Sequence, residues 1–113
     1  MVTNNPMVRE KLPEAEFFDT DYLGILKIVR DRVHLGHRLL THPLSSSVKP
    51  GETPYKTVVI SADKGSLDEK ELSIIEDSIQ TCLKLTKNIV KRNFSTEILA
   101  DFQLIDYDII SSD

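Results

Sequence analysis

Tryptophan is absent from this chain of 113 residues, cysteine occurs once, and glycine only four times. A lone Cys82 rules out an intramolecular disulfide and any zinc-type cysteine set, and it suits a reducing, cytoplasmic setting. No apolar run approaches the roughly 18 residues of a membrane span. The opening MVTNNP carries no secretory core, so no membrane association is expected. Positive charge is scarce too: 14 Lys and Arg against 18 Asp and Glu leave a net charge of −4. That balance argues against a nucleic-acid partner held by phosphate contacts. Neither GxGxxG nor GxxxxGKS/T occurs, which excludes the usual dinucleotide and P-loop cradles, and no GxSxG elbow presents a serine nucleophile. No cofactor and no metal is expected. What remains is one domain over residues 1–113, 40% hydrophobic and able to bury a core of its own.

Periodicity supplies the elements. Met1–Thr3 reads as a short strand stopped by Asn4-Asn5-Pro6, and Met7–Leu12 as one or two helical turns before Pro13. Ala15–Phe18 reads as a second strand. Tyr22, Ile25, Leu26, Val29 and Val33 recur at steps of three and four and define a helix face, with Asp19 or Thr20 as the cap. Gly36 is its left-handed stop. His34 and His37 straddle that glycine, where an imidazolium favours the negative helix end over metal ligation.

Arg38–Thr41 reads as a third strand and Thr57–Ser61, β-branched and apolar, as a central fourth. Ser66 and Glu69 fit a capping box ahead of a helix over about 68–91. Its stripe is Leu72, Ile75, Ile79, Cys82, Leu83, Thr86 and Val90, which places Cys82 in the core. A last helix starts near Ser95, with Phe94 and Leu99 placed for a hydrophobic staple and Ile98, Phe102, Ile105 and Ile109 at helical spacing. Asp106, Asp108 and Asp113 crowd its negative end, which predicts an extended tail after about Ile105. Strands alternating with helices predict an α/β fold: small, three-layered, with a mainly parallel four-stranded sheet and helices on both faces.

Chemistry concentrates in Leu39–Lys56, LLTHPLSSSVKPGETPYK. Connections in compact domains usually run about 4–6 residues, and longer structureless ones tend to be functional or disordered. Prolines at 43, 50 and 54 restrict this one, so it is not built for slack. Ligands of open α/β sheets bind at strand carboxyl ends. That rule gathers Asn4 and Asn5 with Thr41, His42, Ser45, Ser47, Lys49 and Tyr55 as candidate ligand-binding residues. Hydroxyls, amides and the Lys49 ammonium suit a small anion. His42 has the pKa range for proton transfer. Equally, turns favour Asn, Ser and Thr for local reasons, and a His-Pro at a strand end often bonds a backbone carbonyl.

The opening VTNNP, then GHRLLTHPLSSSVKPGETPYK, then VVIS and LDEKELSIIEDSI together resemble the GrdX family. These are small proteins of the gene clusters for glycine, sarcosine or betaine reductase in amino-acid-fermenting anaerobes. The resemblance covers most of the chain, and His42, Lys49 and Tyr55 lie in its most distinctive segment. It implies an accessory protein of a multi-subunit, selenium- and thiol-dependent reductase, and it brings no catalytic assignment. A single cysteine on an apolar helix face is a poor redox carrier for such a partner.

Three functions fit. The first is an accessory or regulatory domain that binds a small anionic metabolite or a partner protein through the carboxyl-end loops. The second is a small enzyme with His42 as acid or base and Asn4 or Lys49 stabilising developing charge. The third is an assembly factor docking onto a reductase-complex subunit through Leu12, Phe17, Phe18 and the last helix.

Overall fold

The computed structural model describes residues 1–44, 50, 52–87 and 94–111. It is an α/β fold in which the described residues form seven elements: β1 (Val2–Thr3), α1 (Pro6–Lys11), β2 (Glu16–Phe17), α2 (Tyr22–His34), β3 (Thr57–Val58), α3 (Glu69–Thr86) and α4 (Thr96–Ser111). The strands form a three-stranded mixed sheet in the order β2-β1-β3. β1 pairs parallel with β2 and antiparallel with β3, Val2 lying opposite Val58 and Thr3 opposite Thr57.

The four-stranded, mainly parallel sheet expected from the sequence is not found among the described residues, whose three strands are of mixed direction. Arg38–Thr41 contributes a single antiparallel bridge, Leu39 to Ile60, with the Leu40 amide donating to the Val59 carbonyl. The central strand is β1, not the apolar Thr57–Ser61 run. The start of that run is nonetheless buried on both faces, with Thr57 at 2% and Val58 at 0% exposure, while Val59 and Ser61 are half-buried.

Strand side chains alternate between faces, so the Val2–Val58 pair and the Thr3–Thr57 pair look opposite ways. The valine face packs on α2. Tyr22, Ile25, Leu26, Val29 and Val33 of α2 join Val2, Val58, Ile60 and then Ile75, Ile79 and Cys82 of α3 in one apolar cluster. Full burial of each Leu, Ile or Val contributes about 1.5–3 kcal/mol. The α3 stripe is narrower than its spacing implied, since Leu83 is exposed; Val90 lies outside the described residues. The threonine face meets α4, which also packs on α1.

Caps set the helix ends. Asp21, not Asp19 or Thr20, caps α2, its carboxylate accepting from the Gly24 amide at 2.7 Å. Gly36 stops that helix at φ 103°, and a Cβ there would collide with the Gly65 carbonyl oxygen, so backbone angle and space both require glycine. Asp68 caps α3 by accepting from the Lys70 and Glu71 amides, so the capping box on Ser66 is not used. His37 closes α2 with its backbone amide, which donates to the Arg32 carbonyl at 3.1 Å, and not with its imidazole, whose Nδ1 lies 2.7 Å from the Ser61 carbonyl oxygen and therefore donates there. At the start of α4 the Ser95 hydroxyl accepts from the Ile98 amide, and Phe94 packs edge-on against Phe102. The helix runs on to Ser111 without the extended tail expected after Ile105. Asp106, read as a liability near the negative end, points into the protein, where donors compensate its charge.

Candidate functional site

Because β3 runs antiparallel to β1, its start lies beside the carboxyl ends of β1 and β2. Asn4 and Asn5, the first turn of α2, and Tyr55 and Lys56 at the end of the long loop therefore meet at one end of the sheet. This is where open α/β sheets place ligands.

Asn4 fastens the meeting point. Its amide nitrogen donates to the Thr20 and Pro54 carbonyls, both at 2.8 Å, while its oxygen accepts from the Lys56 amide at 2.8 Å. One side chain thus ties β1 to the entry of α2 and to the loop. Asn5 works on the other face. It caps α1 by accepting from the Met7 amide, and it donates to the Gln103 carbonyl and to Asp106 Oδ2 of α4. Asp106 also accepts from the Thr57 amide at 3.1 Å and from the Thr57 hydroxyl at 2.6 Å, and Thr57 Oγ1 lies 2.7 Å from Thr3 Oγ1. The result is a closed polar network under α4.

Lys56 continues the inward parity of Val58 and Ile60, and its side chain is only 2% exposed. Its Nζ stands over the Tyr22 ring, 6.0 Å from the centroid. Burial pulls its pKa down to about 8, and the Asp106 carboxylate draws it partly back. Tyr22 is 5% exposed, and its hydroxyl has no hydrogen-bond partner among the described residues. Burial, and after it the nearby Cys82 and Asp106, push its pKa up. Cys82 itself is 1% exposed and its thiol is pushed up to about 11, first by burial and then by Asp21. Such a thiol is a poor nucleophile.

The residues picked out in the sequence divide. Asn4 and Asn5 sit at the centre, committed to the hydrogen bonds above. Tyr55 joins them, its hydroxyl accepting from Gln103 Nε2 at 2.9 Å. Thr41 turns to the sheet, accepting from the Val59 amide. His42 is exposed, and its Nδ1 accepts from the Leu44 amide two residues on. Ser45, Ser47 and Lys49 lie outside the described residues. Sequence reasoning passed over Lys56, Tyr22 and Asp106. Strand parity was the available signal for Lys56; nothing in the sequence pointed Asp106 inward. No group of three or more His, Cys, Asp or Glu among the described residues is placed to hold a metal ion. No described helix is long and apolar enough to cross a membrane.

A small mixed-sheet α/β domain with a polar crossing at its strand carboxyl ends is thus the class of protein that fold and site define. The chain matches the family of GrdX-like proteins over residues 1–113 and belongs to that family. Comparison with curated proteins and with solved structures gives no match.

Proposed function

We propose that this chain is an accessory or regulatory protein of a glycine, sarcosine or betaine reductase system, and that it works by binding rather than by catalysis. Its ligand is a small anion, held at the carboxyl ends of β1 and β2. The observation that carries this reading is the Tyr22 hydroxyl, buried with no hydrogen-bond partner among the described residues, on a ring that lies under the Lys56 Nζ. Buried hydroxyls in proteins are nearly always hydrogen-bonded, and an exception calls for an explanation. An anionic oxygen reaching this spot would accept a hydrogen bond from the Tyr22 hydroxyl and meet the positive charge of Lys56, a charge-assisted contact in a poorly solvated setting. Thr41, His42, Ser45, Ser47 and Lys49 belong to the connection that ends at Lys56, and they enter this reading as donors of the approach. GrdX-like membership supports the reductase setting.

Thermal denaturation tests this with glycine, sarcosine, betaine, phosphate and sulfate, on the natural chain and on Tyr22→Phe and His42→Ala. A ligand at a hundred times its dissociation constant adds about 2.7 kcal/mol, or roughly 10 °C for a domain of this size. The expected result is a rise with at least one anion or zwitterion that shrinks in Tyr22→Phe. A rise unaffected by Tyr22→Phe but lost in His42→Ala moves the site outward to the loop. No rise with any compound defeats the reading.

A further inference from the structure

The last helix is rich in apolar residues, yet its one buried residue is an aspartate. None of Ile98, Leu99, Phe102, Leu104, Ile105, Ile109 or Ile110 enters the apolar cluster between the sheet, α2 and α3. Besides its packing on α1, α4 is held through Asp106 and Gln103, by polar contacts to Thr57, Asn5 and Tyr55. Ile98, Phe102, Ile105 and Ile109 follow one another at steps of four, three and four, the spacing of a coiled-coil seam. Ile98 is 45% exposed, and the other three are only half-buried.

With those four at the seam, Asp101 and Asp108 fall at the two g positions that border it, and both are exposed. Helix α4 contains Glu97, Asp101, Asp106 and Asp108 and no basic residue. A second copy of α4 packed antiparallel would set Asp101 against Asp108, which destabilises the pair. We infer that the seam is a docking site for a partner helix whose apolar stripe is bordered by lysine or arginine. Charge complementarity picks the occupant, and the preformed helix supplies the geometry; the inference does not depend on the ligand reading above.

The test uses two synthetic three-heptad peptides with the same Leu and Ile seam, one with lysine and one with glutamate at every e and g position. Fluorescence anisotropy measures their binding to the full chain at low salt. The lysine peptide is expected to bind roughly tenfold more tightly than its glutamate twin, with the gap closing as salt screens the pairs. Asp101→Lys with Asp108→Lys should reverse the preference, and Ile98→Asp should abolish binding of both peptides. These three positions are exposed, so circular dichroism should show the fold unchanged. Equal binding of both peptides, or binding of neither, overturns the inference. So does a concentration-dependent dimer that Ile98→Asp dissolves, because the seam would then be taken by a second copy.

Discussion

The two faces of the β1–β3 pair solve the same packing problem in opposite ways. On the valine face Val2 and Val58 meet Ile25, Leu26, Val29 and Val33 of α2, and complementarity of shape does the work. On the threonine face Thr3 and Thr57 meet Asp106 of α4 through hydrogen bonds. Apolar packing is non-directional, so it tolerates a change of shape that keeps the volume. A buried polar network is directional. It fixes register and fails when a single donor or acceptor is exchanged. The difference predicts that α2 responds to lost volume, whereas α4 responds to altered chemistry at constant volume.

The largest expected effect breaks the valine face. Leu26 is fully buried, so Leu26→Ala should lower stability by about 2–5 kcal/mol, while Leu26→Met should lower it by less than about 1.5 kcal/mol. Urea denaturation read by circular dichroism checks both. The counterpart on the threonine face is Asp106→Asn, which barely changes volume. It puts an amide where the Thr57 amide, the Thr57 hydroxyl and the Asn5 amide all donate. A loss of about 2–3 kcal/mol is expected, together with earlier hydrogen exchange in α4 than in α2. An Asp106→Asn protein as stable as the natural one would mean that the faces do not differ in this way.

How far the sequence revealed each face follows from the same contrast. Steps of three and four marked Tyr22 to Val33 as a buried helix face, because apolar burial leaves its period in the chain. The threonine face leaves no such mark. Thr3, Asn5, Thr57 and Asp106 are separated by up to about a hundred residues, and each reads locally as turn or surface chemistry. Asp106 therefore looked like a charge at the wrong helix end, and the expected extended tail followed from that. The sheet was obscure for another reason: strands of two residues carry almost no period, so order and direction come from tertiary pairing. Asn4 and Asn5 drew attention as paired asparagines before a proline at a strand end, and their side chains tie together the elements that meet there. The Tyr22 hydroxyl was hidden because an aromatic residue on a helix face advertises its ring.

Lys56 sharpens the comparison where the valine face ends. Its pKa near 8 in the folded chain lies below its ordinary value of 10.5. Between those values the unfolded chain binds more protons, so this residue makes stability rise with pH. Cys82 and Tyr22 act oppositely, since burial raises both, and their stabilisation is lost as pH climbs past about 9 and 10. The signature is therefore a difference: stability of the natural chain minus that of Lys56→Met, followed from pH 7 to 10. It should climb by about 1–3 kcal/mol, and a flat difference would mean that Lys56 is solvated.

The smallest expected effect lies outside both faces and serves as their control. Arg32 of α2 reaches across to Glu16 of β2 with two hydrogen bonds, at 2.9 and 2.6 Å. The guanidinium holds the Glu16 carboxyl below its ordinary range, against a weaker opposing effect of burial. Both side chains remain partly exposed, so water screens the pair. Arg32→Ala should lower stability by about 0.5–1 kcal/mol at neutral pH. Glu16 is ionised there in folded and unfolded chains alike, and its contribution is lost only as pH falls below the ordinary carboxylate range. Stability curves of the natural chain and Arg32→Ala should therefore converge in acid, whereas the deficit of Leu26→Ala persists at every pH because nothing that titrates is removed. An Arg32→Ala deficit as large as that of Leu26→Ala would show that β2 is held by its edge charge rather than by its pairing with β1.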